Sequence, residues 1–396
     1  MEIYVHIPFC IKKCHYCDFL SAPADERLHN RYAGALLREI RFYGEKLGRV
    51  PVSTVYVGGG TPSCMAASYM ELIIKQLRLS FDIAADAEIT VECNPGTLTV
   101  GKLQSYRKLG VNRISIGLQS AHEDELQLLG RIHTYDQFLQ SFDLARKCGF
   151  SNINVDLMSA LPHQTADKFL ASLKRVIALK PEHISVYTLM IEPGTPFYEQ
   201  YKFDAVLRDA GKETHVLPSE DEEYEIYVKT GELLAQHGYE QYEISNYARK
   251  GYACRHNTGY WKRVPYLGLG LGASSLVDEV RYSNVTDIED YIAASRQIRR
   301  QNIGEIPAWN LHAAAQPLSR REQIEEYMFL GLRMREGVTR EGFRNTFDVE
   351  IEAVYGEVLR LLAEQQLIIR RAGNICLSDQ GMNVSNYVLA QFLLGE

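Results

Sequence analysis

The strongest constraint on the fold is an alternation that repeats about every 30 residues through the first half of the chain. Short apolar, β-branched runs stand at EIYVHIP near residue 2, STVYVGG near 53, EITVECN near 88, RISIGLQ near 113, INVDLMSAL near 153 and HISVYTLM near 183. Each is followed by a charged stretch with helical spacing. Strands separated by helices run parallel, because each crossover carries the chain back to the same end of the sheet. Six right-handed units of this kind curl, so the expected class is α/β, a partial (β/α)6 barrel with its chemistry at the C-terminal ends of the strands.

The residues that look out of place in strands gather at those ends. Cys10, Cys14 and Cys17 follow the first strand, Gly58-Gly59-Gly60-Thr61-Pro62 follows the second, Glu92 interrupts the third, Gln119 closes the fourth and Asp156 lies in the fifth. All are expected to face one mouth. Eight cysteines in 396 residues are too sparse for a disulfide scaffold, and no signal peptide precedes them, so a cytoplasmic, reducing setting is expected. Structural zinc would need a fourth Cys or His nearby, for which His15 and His6 are the candidates. An iron–sulfur cube has four irons held by thiolates, so three cysteines on one loop leave an iron open to a small molecule. Cys64, Cys93, Cys148, Cys254 and Cys376 stand singly and are expected to be small buried hydrophobes.

The CxxxCxxC spacing resembles the radical S-adenosylmethionine (SAM) superfamily. In that superfamily the amine and carboxylate of SAM chelate the open iron of a [4Fe-4S] cluster, and reduction of the cluster cleaves SAM. With SAM across the mouth, Gly59 and Gly60 let backbone carbonyls approach its ammonium, Pro62 stiffens the turn, and Gly60 and Thr61 suit the methionine end. Glu92 and Asp156 are acceptors for an ammonium or ribose hydroxyls, Gln119 both donates and accepts, and Arg131 can pair with the ligand carboxylate. The glycines are not a phosphate loop, since no GK[ST] follows.

Within the superfamily the chain resembles the oxygen-independent coproporphyrinogen III oxidases of porphyrin biosynthesis and their relatives, the HemW-type haem chaperones. The likeness rests on YVHIPFCIKKCHYCDF, YVGGGTPS, TVECNPGTLT, GVNRISIGLQS, LLGRIHT, NVDLMSALPHQT and EISNYARKGYACRHNTGYW, in that order. It implies SAM contacts at Tyr4, Tyr16, Gly59, Gly60, Thr61, Glu92, Gln119, Arg131 and Asp156, with Tyr16 beside the adenine. Oxidases carry a further cysteine two places after the triplet, where this chain has Phe19, and an N-terminal extension, for which the nine residues before Cys10 leave no room. HNTGYW, residues 256–261, fits the HNxxYW pattern of the chaperone branch. Haem iron accepts an axial imidazole, so His256, flanked by Arg249, Lys250, Arg255, Lys262 and Arg263, is the expected haem ligand, its basic neighbours meeting the propionates. The likeness thus implies a chaperone that carries haem as cargo to acceptor haemoproteins such as respiratory enzymes. The alternatives are the oxidase, or a radical SAM enzyme acting on another tetrapyrrole; either chemistry would call for an electron donor.

Beyond the barrel, GLGLGASS (268–275) fails the dinucleotide fingerprint, its third glycine falling one place early, and is expected to pass close to the barrel. Ser219 and Glu222 form a capping box before a helix. From Ser319, amphipathic helices and a hairpin-like IIRRAGNICLSDQG suggest a small C-terminal, helix-rich, winged-helix-like domain. The expected division is 1–200 for the barrel, 201–318 for connecting helices and the HNxxYW segment, and 319–396 for the C-terminal domain. A net charge of −7 and balanced charge in the last domain argue against a nucleic-acid partner. No run of about 18 apolar residues is present to span a bilayer.

Overall fold

The computed structural model describes residues 1–297 and 311–395; residues 298–310 of the connecting span and Glu396 lie outside the described residues. The six apolar runs form β1 (Glu2–Ile7), β2 (Pro51–Gly59), β3 (Asp82–Cys93), β4 (Arg113–Gln119), β5 (Ile153–Ser159) and β6 (His183–Thr188). They lie side by side in chain order, every neighbouring pair parallel. The crossovers carry α1 (Glu26–Leu47), α2 (Ala67–Ser80), α3 (Val100–Lys108), α4 (Glu123–Leu128), α5 (Tyr135–Lys147) and α6 (Ala166–Ala178). Asp25, Thr99, Thr134 and Thr165 start α1, α3, α5 and α6 by accepting a backbone N–H in the first turn.

Alternation within the strands divides the two faces. Ile3, Val5, Ile7, Val55, Val57, Ile89, Val91, Ile114 and Ile116 belong with the helices to one large apolar core. The alternate residues, among them Glu2, Tyr4 and His6 on β1 and Glu88, Thr90 and Glu92 on β3, form an inner face that is almost wholly polar. Packing outside the sheet holds the barrel together, and the lumen is left to hydrogen bonding.

After β6 come α7 (Pro196–Asp209), α8 (Glu220–Gln236), β7 (Glu240–Glu243), β8 (Asn246–Ala248), α9 (Arg255–Trp261), β9 (Tyr266–Leu269), β10 (Ser274–Val277), β11 (Val280–Asn284), α10 (Ile288–Gln297) and β12 (His312–Pro317). The Ser219 and Glu222 capping box starts α8. β9 adds parallel to β1, while β8 adds antiparallel to β6. The order runs β12-β11-β10-β9-β1-β2-β3-β4-β5-β6-β8-β7, so the edge strands do not meet and the barrel stays open. The C-terminal unit has its own core, built on α11 (Arg320–Gly331), α12 (Arg340–Phe347) and α13 (Ile351–Glu364). Its small sheet has β15 (Asn374–Leu377) between β13 (Val338–Thr339) and β14 (Ile368–Arg371), the expected hairpin plus one short strand.

The GLGLG run passes close to the barrel as expected. A methyl group on Gly268 would strike the Ser274 carbonyl, and one on Gly270, at φ +99°, would lie 2.5 Å from the Tyr32 hydroxyl and 2.7 Å from the His6 carbonyl. The Gly270 amide donates to the buried carboxylate of Glu39 at 2.8 Å, which also accepts from Asn284 at 2.7 Å and Tyr291 at 2.6 Å.

Gly270→Ala is therefore expected to cost about 2 kcal/mol or more in urea unfolding; a loss under about 0.5 kcal/mol would show that the close approach is not needed. Burial raises the Glu39 carboxyl to about 7, against the pull of its three hydrogen bonds. A raised value favours the protonated fold, so this contribution is whole below the ordinary 4.5 and is lost as the pH rises through about 7. In Glu39→Gln the fall of thermal stability from about pH 5 to pH 8 should flatten, and an unchanged slope counts against this role.

Candidate cluster and cofactor site

The cysteine loop leaves β1 at the buried Phe9 and is closed at its base by Cys10 N–H donating to the Ala22 carbonyl at 3.2 Å. Its middle is pinned from two sides. His15 donates its backbone N–H to Leu129 and its Nδ1 to Leu128, both at 3.0 Å, and its carbonyl accepts from Phe197 at the start of α7 at 3.0 Å. Cys10, Cys14 and Cys17 are free and partly exposed. Burial pushes the thiols of Cys10 and Cys17 up, so a metal must displace their protons on binding.

Arg131 lies beneath this loop. Its Nη1 is 3.6 Å from Cys14 Sγ, and its Nη2 donates to Asn94 Oδ1 at 2.8 Å and to the Gly117 carbonyl at 2.6 Å. Its Nε is buried without a partner. Tyr16 packs on the apolar cluster of Leu129, Met158 and Phe197, its hydroxyl turned to Arg131 and Cys14. Arg131 thus lies on the thiol side of the mouth, joined to Cys14, Asn94 and Gly117.

The cysteine loop fits a cube-type cluster better than zinc. Among the described residues no three His, Cys, Asp or Glu side chains converge on a single metal ion. Both zinc candidates are engaged elsewhere: His6 accepts from Tyr4 at 3.0 Å and donates to the Leu20 carbonyl at 2.8 Å, and His15 donates to Leu128. A cube takes each thiolate at a different corner, so it needs no convergence on one point.

The lumen opens beside this loop. Glu92 accepts from the Tyr56 hydroxyl at 2.8 Å and the Gly59 amide at 3.0 Å, and burial raises its carboxyl to about 7. Asp156 accepts from Ser115 at 2.9 Å and Asn154 at 2.7 Å, its carboxyl also raised by burial. Tyr187, on the lumen face of β6, is 41% exposed, so this end of the chamber is open. Thr61 accepts from Asn94 Nδ2 at 2.7 Å, and Gln119, at φ +72°, ends β4 next to Gly117.

The triple glycine answers first to the protein itself. A methyl on Gly59, at φ +110°, would lie 2.5 Å from the His6 ring, and one on Gly60 would lie 2.5 Å from the Phe9 carbonyl. The Gly60 and Thr61 amides donate to the carbonyls of Ile7 and Phe9 at 2.8 and 2.6 Å, tying the turn to the root of the cysteine loop. Asn94, which joins Thr61 to Arg131, escaped the sequence reading. Its signal was its place two residues after Glu92, on the same side of an extended chain.

His256 differs most from expectation. It is 1% exposed at the opposite end of the barrel, its Nδ1 bonded to Thr54 Oγ1 at 2.7 Å and its Nε2 to the Tyr260 hydroxyl at 3.1 Å. Burial lowers its pKa to about 3. With both nitrogens engaged, this geometry offers no haem iron a ligand. Four of its five basic neighbours are also committed: Arg255 to the Asp86 carbonyl at 2.8 Å, Lys262 to Glu336 at 2.6 Å, Arg263 to Glu326 at 2.9 Å, and Arg249 to the Pro181 carbonyl at 3.3 Å, while Lys250 is exposed.

Residues 4–176 match the model of the Radical SAM superfamily and residues 318–384 that of the HemN C-terminal domain. Coproporphyrinogen III oxidase (HemN) from Escherichia coli, a radical SAM enzyme, has a similar structure, with a TM-score of 0.81 at 25% identity over 99% of this chain and 89% of that one. The heme chaperone HemW of Lactococcus lactis subsp. lactis is 35% identical over 99% of this chain and 97% of its own length. That of Bacillus subtilis is 36% identical over 98% of both chains. On this likeness across nearly the whole of both chains, the protein belongs to the HemW family of the radical SAM superfamily.

Proposed function

We propose that the protein is a haem chaperone: it binds haem at the barrel mouth and passes it to acceptor haemoproteins, such as respiratory enzymes, in the cytoplasm. Cys10, Cys14 and Cys17 would hold the [4Fe-4S] cluster, and Gly60, Thr61, Glu92, Gln119 and Asp156 would surround SAM, with Tyr4 deeper in the lumen. When bound, the cluster supplies an open iron and one-electron chemistry, for which an external electron donor is required. The protein's own groups set the charge around that site. Arg131 neutralises the Cys14 thiolate, Asn94 orients Thr61, and the carboxylates of Glu92 and Asp156 accept hydrogen bonds from a ligand's ammonium and hydroxyls.

The observation that carries the haem reading is the rim of the mouth. Ile11 and Phe19 in the loop after β1, Ile132 in the turn after α4 and Met190 in the loop after β6 are 58%, 60%, 55% and 67% exposed. Ile11 and Ile132 share a cleft with Lys12, Cys14 and Arg131. Exposed apolar residues beside a cleft mark a binding surface, and with the exposed ammonium groups of Lys12 and of Lys13, which donates to the Phe19 carbonyl at 3.0 Å, they suit a flat apolar macrocycle carrying two carboxylates. Phe19 extends this apolar surface at the position where the oxidases are expected to have a cysteine. Among the described residues, no helix is long and apolar enough to cross a membrane.

The test is anaerobic. Reconstituted protein should take up haem, transfer it intact to an apo-haemoprotein and convert no coproporphyrinogen III; turnover of the porphyrinogen would sink the proposal. Phe19→Asp should weaken haem uptake about tenfold with iron content unchanged, the scale of burying one aromatic side chain. Cys10→Ala should lose the cluster and with it the transfer. SAM affinity should rise from about pH 6 to pH 8, because Glu92, near 7 through burial, accepts hydrogen bonds as an anion and loses that capacity when protonated. A flat profile would exclude Glu92 from the contact.

A further inference from the structure

The HNTGYW segment is the floor of the cofactor chamber. Glu88, on the lumen face of β3, accepts the backbone N–H groups of Arg255 and His256, each at 3.2 Å, and thereby seats the start of α9 across the lower end of the barrel. Gly259 lies against the Glu2 carboxylate so closely that no side chain fits there. On the far side Trp261 lies under the Arg333 guanidinium, 4.4 Å from its ring centroid, and Arg263 bonds Glu326 of α11, so the segment is clasped from both ends.

The ring that this floor sets against β2 is His256. His256 stacks on Tyr56 with ring centroids 5.1 Å apart and planes at 21°, and is held in that plane by Thr54 on one edge and Tyr260 on the other. Tyr56 then directs its hydroxyl to Glu92 Oε1 at 2.8 Å. From floor to mouth the contacts run His256, Tyr56, Glu92, each buried or half-buried. We propose that His256 is a positioning residue for cofactor binding, which fixes the rotamer of Tyr56 and through it the orientation of the Glu92 carboxylate. This rests on the reading of Glu92 as a SAM contact. It gives the family's HNxxYW histidine a task inside the barrel, distinct from holding haem iron.

Glu92 is faced by Tyr4 from β1, Tyr56 from β2, Arg113 from β4, Asp156 from β5 and Tyr187 from β6. Of these, Tyr56 is the hydroxyl bonded to it, and that bond lowers its pKa. Loss of the bond therefore moves the pH dependence of SAM binding upward.

The test measures SAM affinity by equilibrium dialysis on the cluster-loaded protein, alongside the Soret spectrum of bound haem. His256→Ala is expected to weaken SAM about tenfold and shift its binding profile to higher pH, with the Soret band and haem affinity unchanged. Tyr56→Phe, which deletes one hydroxyl, should reproduce both effects, the double variant should be no worse than either single one, and His256→Gln, which can bond Thr54 and Tyr260, should recover most of the affinity. If Glu92→Gln binds SAM as the wild type does, the SAM reading fails and takes this role with it. Where Glu92→Gln weakens binding but Tyr56→Phe and His256→Ala do not, the positioning role alone is overturned. Loss of the Soret band in His256→Ala with SAM affinity intact overturns it too, in favour of axial ligation. Should His256→Ala fail to fold, Tyr56→Phe decides by itself.

Discussion

A barrel whose inner faces are polar stands only if each group removed from water finds a partner inside. Arg113, on β4, is the largest such demand, a guanidinium 2% exposed in the middle of the lumen. Glu88, Glu92 and Asp156 supply the opposing charge, while Tyr56, Ser115 and Asn154 supply hydrogen bonds to the carboxylates. Burial still raises the carboxyls of Glu92 and Asp156, and Glu2, at the floor, is held near 8 by burial, with one oxygen unpartnered. α9 closes that floor, and the open end, where Tyr187 is exposed, is left for ligands.

This arrangement separates stability from chemistry across the thickness of a single sheet. On the outer face, Val55, Val57, Ile89 and Val91 pack into the core with α1 and α2. On the inner face the same strands carry Thr54, Tyr56, Glu88 and Glu92. The C-terminal unit has a separate core and is fastened to the barrel through α9 and α11 by ion pairs as well as packing. The shared architecture with the HemN oxidase, at a TM-score of 0.81, fits this division: a common outer shell can surround different work at the mouth.

Strand order and the position of the mouth were legible in the sequence because both depend on local pattern. β-branched runs followed by helical spacing fix parallel neighbours, and the cysteine triplet and GGGTP mark where strands end. The setting of His256 was not legible, since its partner Thr54 lies 202 positions away and nothing near HNTGYW shows that Glu88 will cap it. The basic residues around it read as a patch for the same reason. Their partners, Asp86, Glu326 and Glu336, come from β3's start and from the C-terminal unit. Arg131 was found through its motif, but its position under Cys14 follows from the turn after α4. α12, REGFRNTF, has a weak helical signal of its own because of Gly, Asn and Thr; what holds it is the burial of Phe343 and Phe347.

The lumen network also bears on how such a protein can diverge. Glu88 serves two backbone amides and the Cys254 thiol, and Asn154 serves Asp156, Ser115 and His183, so nearly every inner group is some other group's partner. A single replacement there strands a buried donor or acceptor at about 1 to 3 kcal/mol, which makes lumen substitutions strongly epistatic: they survive when compensated as sets. The exposed side chains of Ile11, Phe19, Ile132 and Met190 carry no such debt. Drift can retune the rim one residue at a time while the chamber beneath changes only in concerted steps.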